Sequence, residues 1–276
     1  MAAPKLFTRF EDIESDLAAN APSLVYKYRD WNDPYHKLLL TDYQAWFAHP
    51  FDLNDPEDLR PEIQFDLTEL DDPAYLAKMT ATAGMNSKRE NRIKAENRLA
   101  ELRANPGILD ANAKEWHSTR ENYDQLGVFS TAKHELNDHV WKDYSADHSG
   151  FCVGLNTIEL CRQVKSGFGQ MKYCDAPIIH RFLTKTNDGA DILYYKKKKW
   201  EIEDEFRFVT VGVGRYSTRV QTFKPETISE LILGYNILPE HEQEIIEIVE
   251  QKYPKGLKIF KTKRNADNSL AKYQIK

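Results

Sequence analysis

The run from Lys196 to Val211 constrains this chain most, because it carries the densest charge in the sequence straight into an apolar stretch of strand formers. In an extended chain side chains alternate between faces, so Glu201, Glu203, Glu205 and Arg207 share one face and Ile202, Phe206 and Phe208 the other. One face packs and the other holds carboxylates. Two strand rises put Glu203 and Glu205 roughly 6.5–7 Å apart, the spacing at which one small polar group can meet both. A cleft wall fits this pattern. A charged edge strand fits it too, since charged side chains protect exposed edges.

The chain around this stretch is long enough, at 276 residues, for one α+β body with an inserted segment, and the whole of 1–276 is expected to be a single domain. A hydrophobic fraction of 41% that includes 13 Phe, 14 Tyr and 5 Trp excludes a disordered chain. No apolar run reaches membrane-spanning length, and Met1-Ala-Ala-Pro4 lacks a basic start and apolar signal core, so a cytoplasmic protein without a membrane partner is expected. Cys152, Cys161 and Cys174 form no C-x-x-C spacing, which argues against a disulfide framework or a Cys-rich zinc site and for small core residues. The net charge of −5 disfavours indiscriminate nucleic-acid binding and leaves room for local basic patches.

Along the chain, Phe10, Ile13, Glu14 and Leu17 have helical spacing, while Ser23 to Arg29 reads as a strand with Leu24, Tyr26 and Tyr28 on one face and Val25, Lys27 and Arg29 on the other. Asp33-Pro34 is a helix start, and Gln44 to His49 a second strand stopped by Pro50. Between 74 and 125 the composition shifts to long polar helix, read as an inserted helical hairpin whose cations include Lys88, Arg89 and Arg92. These form a solvated face or a surface for an anionic target. Further elements are a strand at Gly127–Thr131, a helical turn at His139–Tyr144, a strand within His148–Leu155, helices at Ile158–Lys165 and Asp188–Lys199, and a closing unit of Ile228–Leu233, Pro239–Lys252 and Leu257–Phe260. Ser130, Tyr144 and His148 cluster in this middle part without the spacing of a hydrolytic triad. No P-loop, G-x-G-x-x-G or H-E-x-x-H pattern occurs, which leaves P-loop hydrolysis and zincin proteolysis unsupported.

The order Tyr26-Lys-Tyr-Arg29, Asn54-Asp-Pro-Glu57, Val128-Phe-Ser130, Trp141-x-x-Tyr144, His148-x-Gly-Phe-Cys-Val-Gly154 and Trp200-x-x-Glu-x-Glu-x-Arg207 resembles a bacterial family known mainly as a domain of unknown function. The resemblance spans residues 24 to 235, with the helical insertion its least matched part. More distantly, the chain resembles the ADP-ribosyltransferase fold, which carries a basic or His residue on its first strand, Ser/Thr or Tyr on a middle strand and Glu-x-Glu on a late one. Arg29 or Lys27, Ser130-Thr131 and Glu203-Asp-Glu205 match in that order. A full Ser-Thr-Ser triplet is lacking, and two cations compete for the first position.

That second resemblance implies a mixed, twisted β-sheet core of ADP-ribosyltransferase type with flanking helices, and NAD as substrate. Cleaving the nicotinamide–ribose bond builds an oxocarbenium-like sugar that a carboxylate stabilises. By the resemblance, Glu205 takes this role and Glu203 orients or deprotonates the acceptor, while Arg29 or Lys27 meets the pyrophosphate. Ser130 or Thr131 positions the ribose, and Tyr144 stacks on nicotinamide; Tyr26 and His148 complete the cofactor-binding set. The implied partners are a nucleic-acid (RNA or DNA) or protein acceptor met by Lys88, Arg89 and Arg92, and an antitoxin protein, in a toxin or phage-defence setting. Two other readings stand beside it: a non-catalytic binding module whose two charged strands pair with each other, and a metal-dependent nuclease using Glu203, Glu205 and Asp55.

Overall fold

The computed structural model describes residues 21–83, 87–183, 192–253 and 256–276. The Phe10–Leu17 helix expected from the sequence lies outside them. The strands in chain order are β1 (Leu24–Arg29), β2 (Gln44–Trp46), β3 (Ile63–Phe65), β4 (Leu126–Ala132), β5 (Phe151–Asn156), β6 (Gly167–Gln170), β7 (Lys172–Tyr173), β8 (Ile178–His180), β9 (Tyr195–Lys196), β10 (Glu205–Val211), β11 (Val220–Thr222), β12 (Ile228–Leu233), β13 (Lys258–Arg264) and β14 (Leu270–Gln274). The helices are α1 (Pro34–Thr41), α2 (Pro73–Thr82), α3 (Lys88–Ala104), α4 (Gly107–Ser118), α5 (Asp138–Tyr144), α6 (Thr157–Gln163) and α7 (Pro239–Lys252).

Local chemistry sets most helix starts. Asp33 caps α1 by accepting from the Tyr35 N–H, with Pro34 supplying the fixed φ of the first turn. Ser87 and Glu90 close a reciprocal capping box on α3. The insertion is therefore three helices rather than a hairpin, since Ser87 starts one and Asn105-Pro106 stops it before α4 begins. It gathers Leu70, Tyr75, Leu99, Leu102 and Phe182 into an apolar cluster of its own.

Eight strands form one mixed sheet in the order β14-β13-β12-β5-β1-β4-β10-β6. Its ladders are antiparallel except β12–β13, a parallel pair that the intervening α7 makes possible as a crossover. Both faces are covered. On one, Val25, Phe129, Phe206 and Phe208 pack with Leu39 and Leu40 of α1 and Ile245 and Val249 of α7. On the other, Tyr26, Tyr28, Cys152 and Ile232 pack with Val140 and Trp141 of α5. Cys152 and Cys161 are the small core residues the sequence suggests, whereas Cys174 is exposed.

The opening stretch departs from its expected form in two places. Instead of a helix continuing to Lys199, a short 3-10 turn at Ile192–Tyr194 leads into β9, and Lys198–Glu203 form a second 3-10 turn whose entry is held by Asp175 accepting from the Lys198 N–H at 3.0 Å. Asp204 then adopts the left-handed region (φ 44, ψ 55), which aspartate tolerates, and the strand begins only at Glu205. Glu203 is thus on the turn and not on the strand. Ile202 is exposed rather than packed.

Candidate functional site

The sheet is weakest where β1 meets β4. Against β5, β1 pairs over all six of its residues, and β4 pairs with β10 over seven, yet β1 and β4 share the single register pair Tyr26↔Ala132. Beyond it the two strands diverge toward Arg29 and Val128, and a cavity of about 1070 Å³ fills the gap. Lys27 reaches across this opening, its Nζ donating to the Ser130 carbonyl at 2.5 Å. Gly150 fixes the end of β1 from behind: a Cβ there would stand 2.1 Å from the Arg29 carbonyl oxygen, so only glycine allows the approach.

One end of the cavity is cationic. Lys27, Arg29 and His36 of α1 line it. Among the described residues the half-buried Arg29 guanidinium has neither a hydrogen-bond nor an ion-pair partner. Burial pushes Arg29 down to about 10, with Asp33 drawing it partly back. Burial, and then the neighbouring Arg29 charge, pushes the Lys27 ammonium well below the ordinary lysine range. His36 is lowered by burial and by Arg29, its Nε2 lies 3.7 Å from Asp33, and its buried Nδ1 has no hydrogen-bond partner among the described residues.

The other end is an ionic cluster. Arg207 is fully buried, and all five of its donors are used: Nε and Nη2 on Glu205 at 2.7 and 3.1 Å, Nη1 and Nη2 on Asp58 at 2.8 and 2.7 Å, and Nη1 also on the Leu193 carbonyl at 3.2 Å. Lys196 Nζ donates to Glu203 at 2.5 Å and to Glu205 at 3.2 Å. Tyr144 donates its hydroxyl to Glu203 Oε1 at 2.7 Å. Burial by itself would raise Glu205, but the Arg207 guanidinium and then the Lys196 ammonium outweigh it and hold the carboxyl down at about 2. Glu205 is a carboxylate at any physiological pH.

Several expected site residues meet in this cavity: Lys27, Arg29, Ser130, Tyr144, Glu203 and Glu205 all line it. Strand alternation nonetheless sends Arg29 and Glu205 to opposite faces, because Tyr26, Ala132 and Glu205 lie in register across β1, β4 and β10 and Lys27 and Arg29 have the other parity. They border one space only because the sheet opens between them. The two charged strands do not pair with each other, since no carboxylate approaches Lys27 or Arg29 within 4.0 Å among the described residues.

Other assignments fail for identifiable reasons. Thr131 borders the cavity too, but it donates its hydroxyl to the Phe206 carbonyl at 2.6 Å. Tyr26 borders the cavity, but its hydroxyl turns to Glu230 on the far side of the strand. His148 is 1% exposed and does not line the cavity; it lies between the rings of Trp141 and Tyr235 with Nε2 3.2 Å from Asp138. Lys88, Arg89 and Arg92, expected to meet an acceptor rather than NAD, are not among these failures: they are exposed on α3 outside the cleft, and Arg92 pairs with Glu96 one turn on at 2.8 Å. Asp55 does border the cavity, 3.7 Å from Lys199. Glu203 and Glu205 instead clasp Lys196, and no cluster of three His, Cys, Asp or Glu arranged to hold a metal ion occurs among the described residues.

Sequence reasoning missed Lys196, Asp58 and His36. Lys196 is one of four consecutive lysines, and nothing in the run marks the one that turns inward. Arg207 did carry a signal: an arginine between two phenylalanines in a buried strand needs a partner, and Glu205 two residues earlier is on its face. No known family model, curated protein or solved structure matches the chain.

Proposed function

We propose that the cleft binds NAD and breaks its nicotinamide–ribose bond, making the protein an ADP-ribosyltransferase-like enzyme that acts on a nucleic-acid or protein acceptor, as a toxin or phage-defence effector does. One observation carries the reading: the strands bearing Arg29, Ser130 and Glu205, first, middle and late in the chain, are immediate neighbours in the sheet, and one cavity runs from an unpaired guanidinium to a fixed pair of carboxylates. A dinucleotide has that polarity. Its diphosphate suits Arg29, which is free to offer a bidentate fork. The sugar that becomes cationic suits the acidic end.

In this reading Glu205 keeps the role expected of it, and Glu203 is the carboxylate that meets a substrate hydroxyl. Glu205 accepts three hydrogen bonds from Arg207 and Lys196, so it acts as a fixed negative charge facing the developing oxocarbenium. Glu203 accepts from Tyr144 and Lys196 and keeps lone-pair positions for a substrate hydroxyl. A regulating antitoxin belongs to the same proposal.

The test is a thermal shift with NAD together with nicotinamide release by purified protein. The expected result is a rise in melting temperature with NAD, slow nicotinamide release, and loss of release in Glu203→Gln with the NAD shift retained. If neither NAD binding nor release occurs at millimolar cofactor, the cleft is that of a binding module.

A further inference from the structure

Lys27 is the group in the cleft whose surroundings are least ordinary for a lysine. Surface lysines sit in water and buried ones sit on carboxylates. Lys27 does neither. Its one hydrogen bond goes to a neutral acceptor, the Ser130 carbonyl, and its Nζ stands 5.0 Å from the centre of the Phe129 ring. No carboxylate lies within 4.0 Å of it among the described residues, and two positions along the strand stands Arg29, a like charge with no partner of its own. The charged groups that act on it are Arg29 from its own strand, His36 from α1, Lys196 from β9, Glu203 from the turn that follows and Glu205 from β10. The carboxylates among them are committed to Lys196, Arg207 and Tyr144. Burial and then the Arg29 charge accordingly weaken the hold on the ammonium's proton and enlarge the share of free amine.

In its free-amine form Lys27 donates one N–H to the Ser130 carbonyl and keeps its lone pair for an electrophile, and the group borders a cavity with an unpaired guanidinium close by. The geometry points to Lys27 as a nucleophile and to a phosphorylated aldehyde or ketone as a ligand, with the carbonyl carbon at Lys27 and the phosphate at Arg29. In the reaction the nitrogen lone pair forms the bond to the carbonyl carbon. The two amine protons leave with the carbonyl oxygen as water, and an imine remains. This inference does not depend on NAD cleavage, because Glu203 and Glu205 take no part in it.

Pyridoxal 5′-phosphate is the probe, an aldehyde and a phosphate in one molecule, with cyanoborohydride delivering hydride to the imine carbon so that a stable secondary amine can be mapped after digestion. An ordinary lysine is only about one part in 10³ neutral at pH 7, so Lys27 is expected to be labelled at least about tenfold more than any other lysine. Inorganic diphosphate is expected to protect it, and Arg29→Met is expected to slow its labelling by the phosphorylated probe markedly more than by pyridoxal, which senses only the lost charge beside the amine. Labelling spread evenly over the lysines overturns the nucleophile. Labelling of Lys27 that ignores both diphosphate and the phosphate of the probe overturns the ligand class, and the diphosphate arm uses unaltered protein, so it stands whether or not the Arg29 variant folds.

Discussion

Replacing Glu205 by glutamine tests whether the buried ionic cluster is a mechanical part of the fold. From the sequence alone this exchange looks nearly free, since shape and hydrogen-bonding capacity are kept. The structure says otherwise. Glu205 Oε2 accepts from Arg207 Nη2 and from Lys196 Nζ, and Oε1 accepts from Arg207 Nε. Whichever way the amide is turned, its NH2 faces a donor, and Arg207, fully buried, is left with Asp58 as its one carboxylate partner among the described residues. Removing one partner of a buried pair costs about 3–5 kcal/mol. The titration of Glu205 gives a similar figure: a fall from the ordinary 4.5 to about 2 amounts to about 3 kcal/mol of stabilisation. That contribution is fully present above pH 4.5 and is lost as the pH falls from there through about 2. For a chain of this size such a loss lowers the melting temperature by on the order of 10 °C.

The assay is thermal unfolding of wild type, Glu205→Gln, Arg207→Met and the double variant at pH 7 and again near pH 4. The expected results are a large drop in each single variant, a double variant less destabilised than the sum of the two, and a smaller gap between wild type and Glu205→Gln at the acid pH. A Glu205→Gln protein that melts within about 2 °C of wild type would refute the reasoning, because the carboxylate would then carry less than about 1 kcal/mol. Activity lost by this variant is to be read only after its folding has been measured.

Two further outcomes follow from the cationic end and the insertion. Arg29→Met removes a half-buried, unpartnered charge and is expected to raise the melting temperature by roughly 2–4 °C, a gain of about 1 kcal/mol, while abolishing any shift produced by NAD; a lower melting temperature would mean that the guanidinium has a stabilising partner. Reversing Lys88, Arg89 and Arg92 to Glu is expected to weaken modification of an anionic acceptor and flatten its salt dependence without altering the NAD shift. Equal modification across a salt series would return that exposed stretch of α3 to a solvated surface.

The sequence by itself determined the elements whose signals are local. Asp33-Pro34 starts α1, Pro239 opens α7 at the expected residue, and alternating β-branched and aromatic residues mark β1, β4, β5, β10 and β12. It also brought Lys27, Arg29, Ser130, Tyr144, Glu203 and Glu205 to one site, because each is a polar group in or beside an apolar element and such groups need a partner or a cavity. What it could not supply was the partner. Glu203 and Glu205 look like one alternating face in an extended chain, and only the left-handed turn at Asp204 and the inward Lys196 decide that they meet around an ammonium. His148 shares the polar character of the site residues, but the sandwich of Trp141 and Tyr235 that removes it from the cleft is assembled from positions far apart in sequence. The cleft itself has no local code. It exists because β1 keeps its whole ladder with β5 and surrenders all but one pair with β4, and how a strand divides its backbone hydrogen bonds between two neighbours is settled by the packing of the entire sheet.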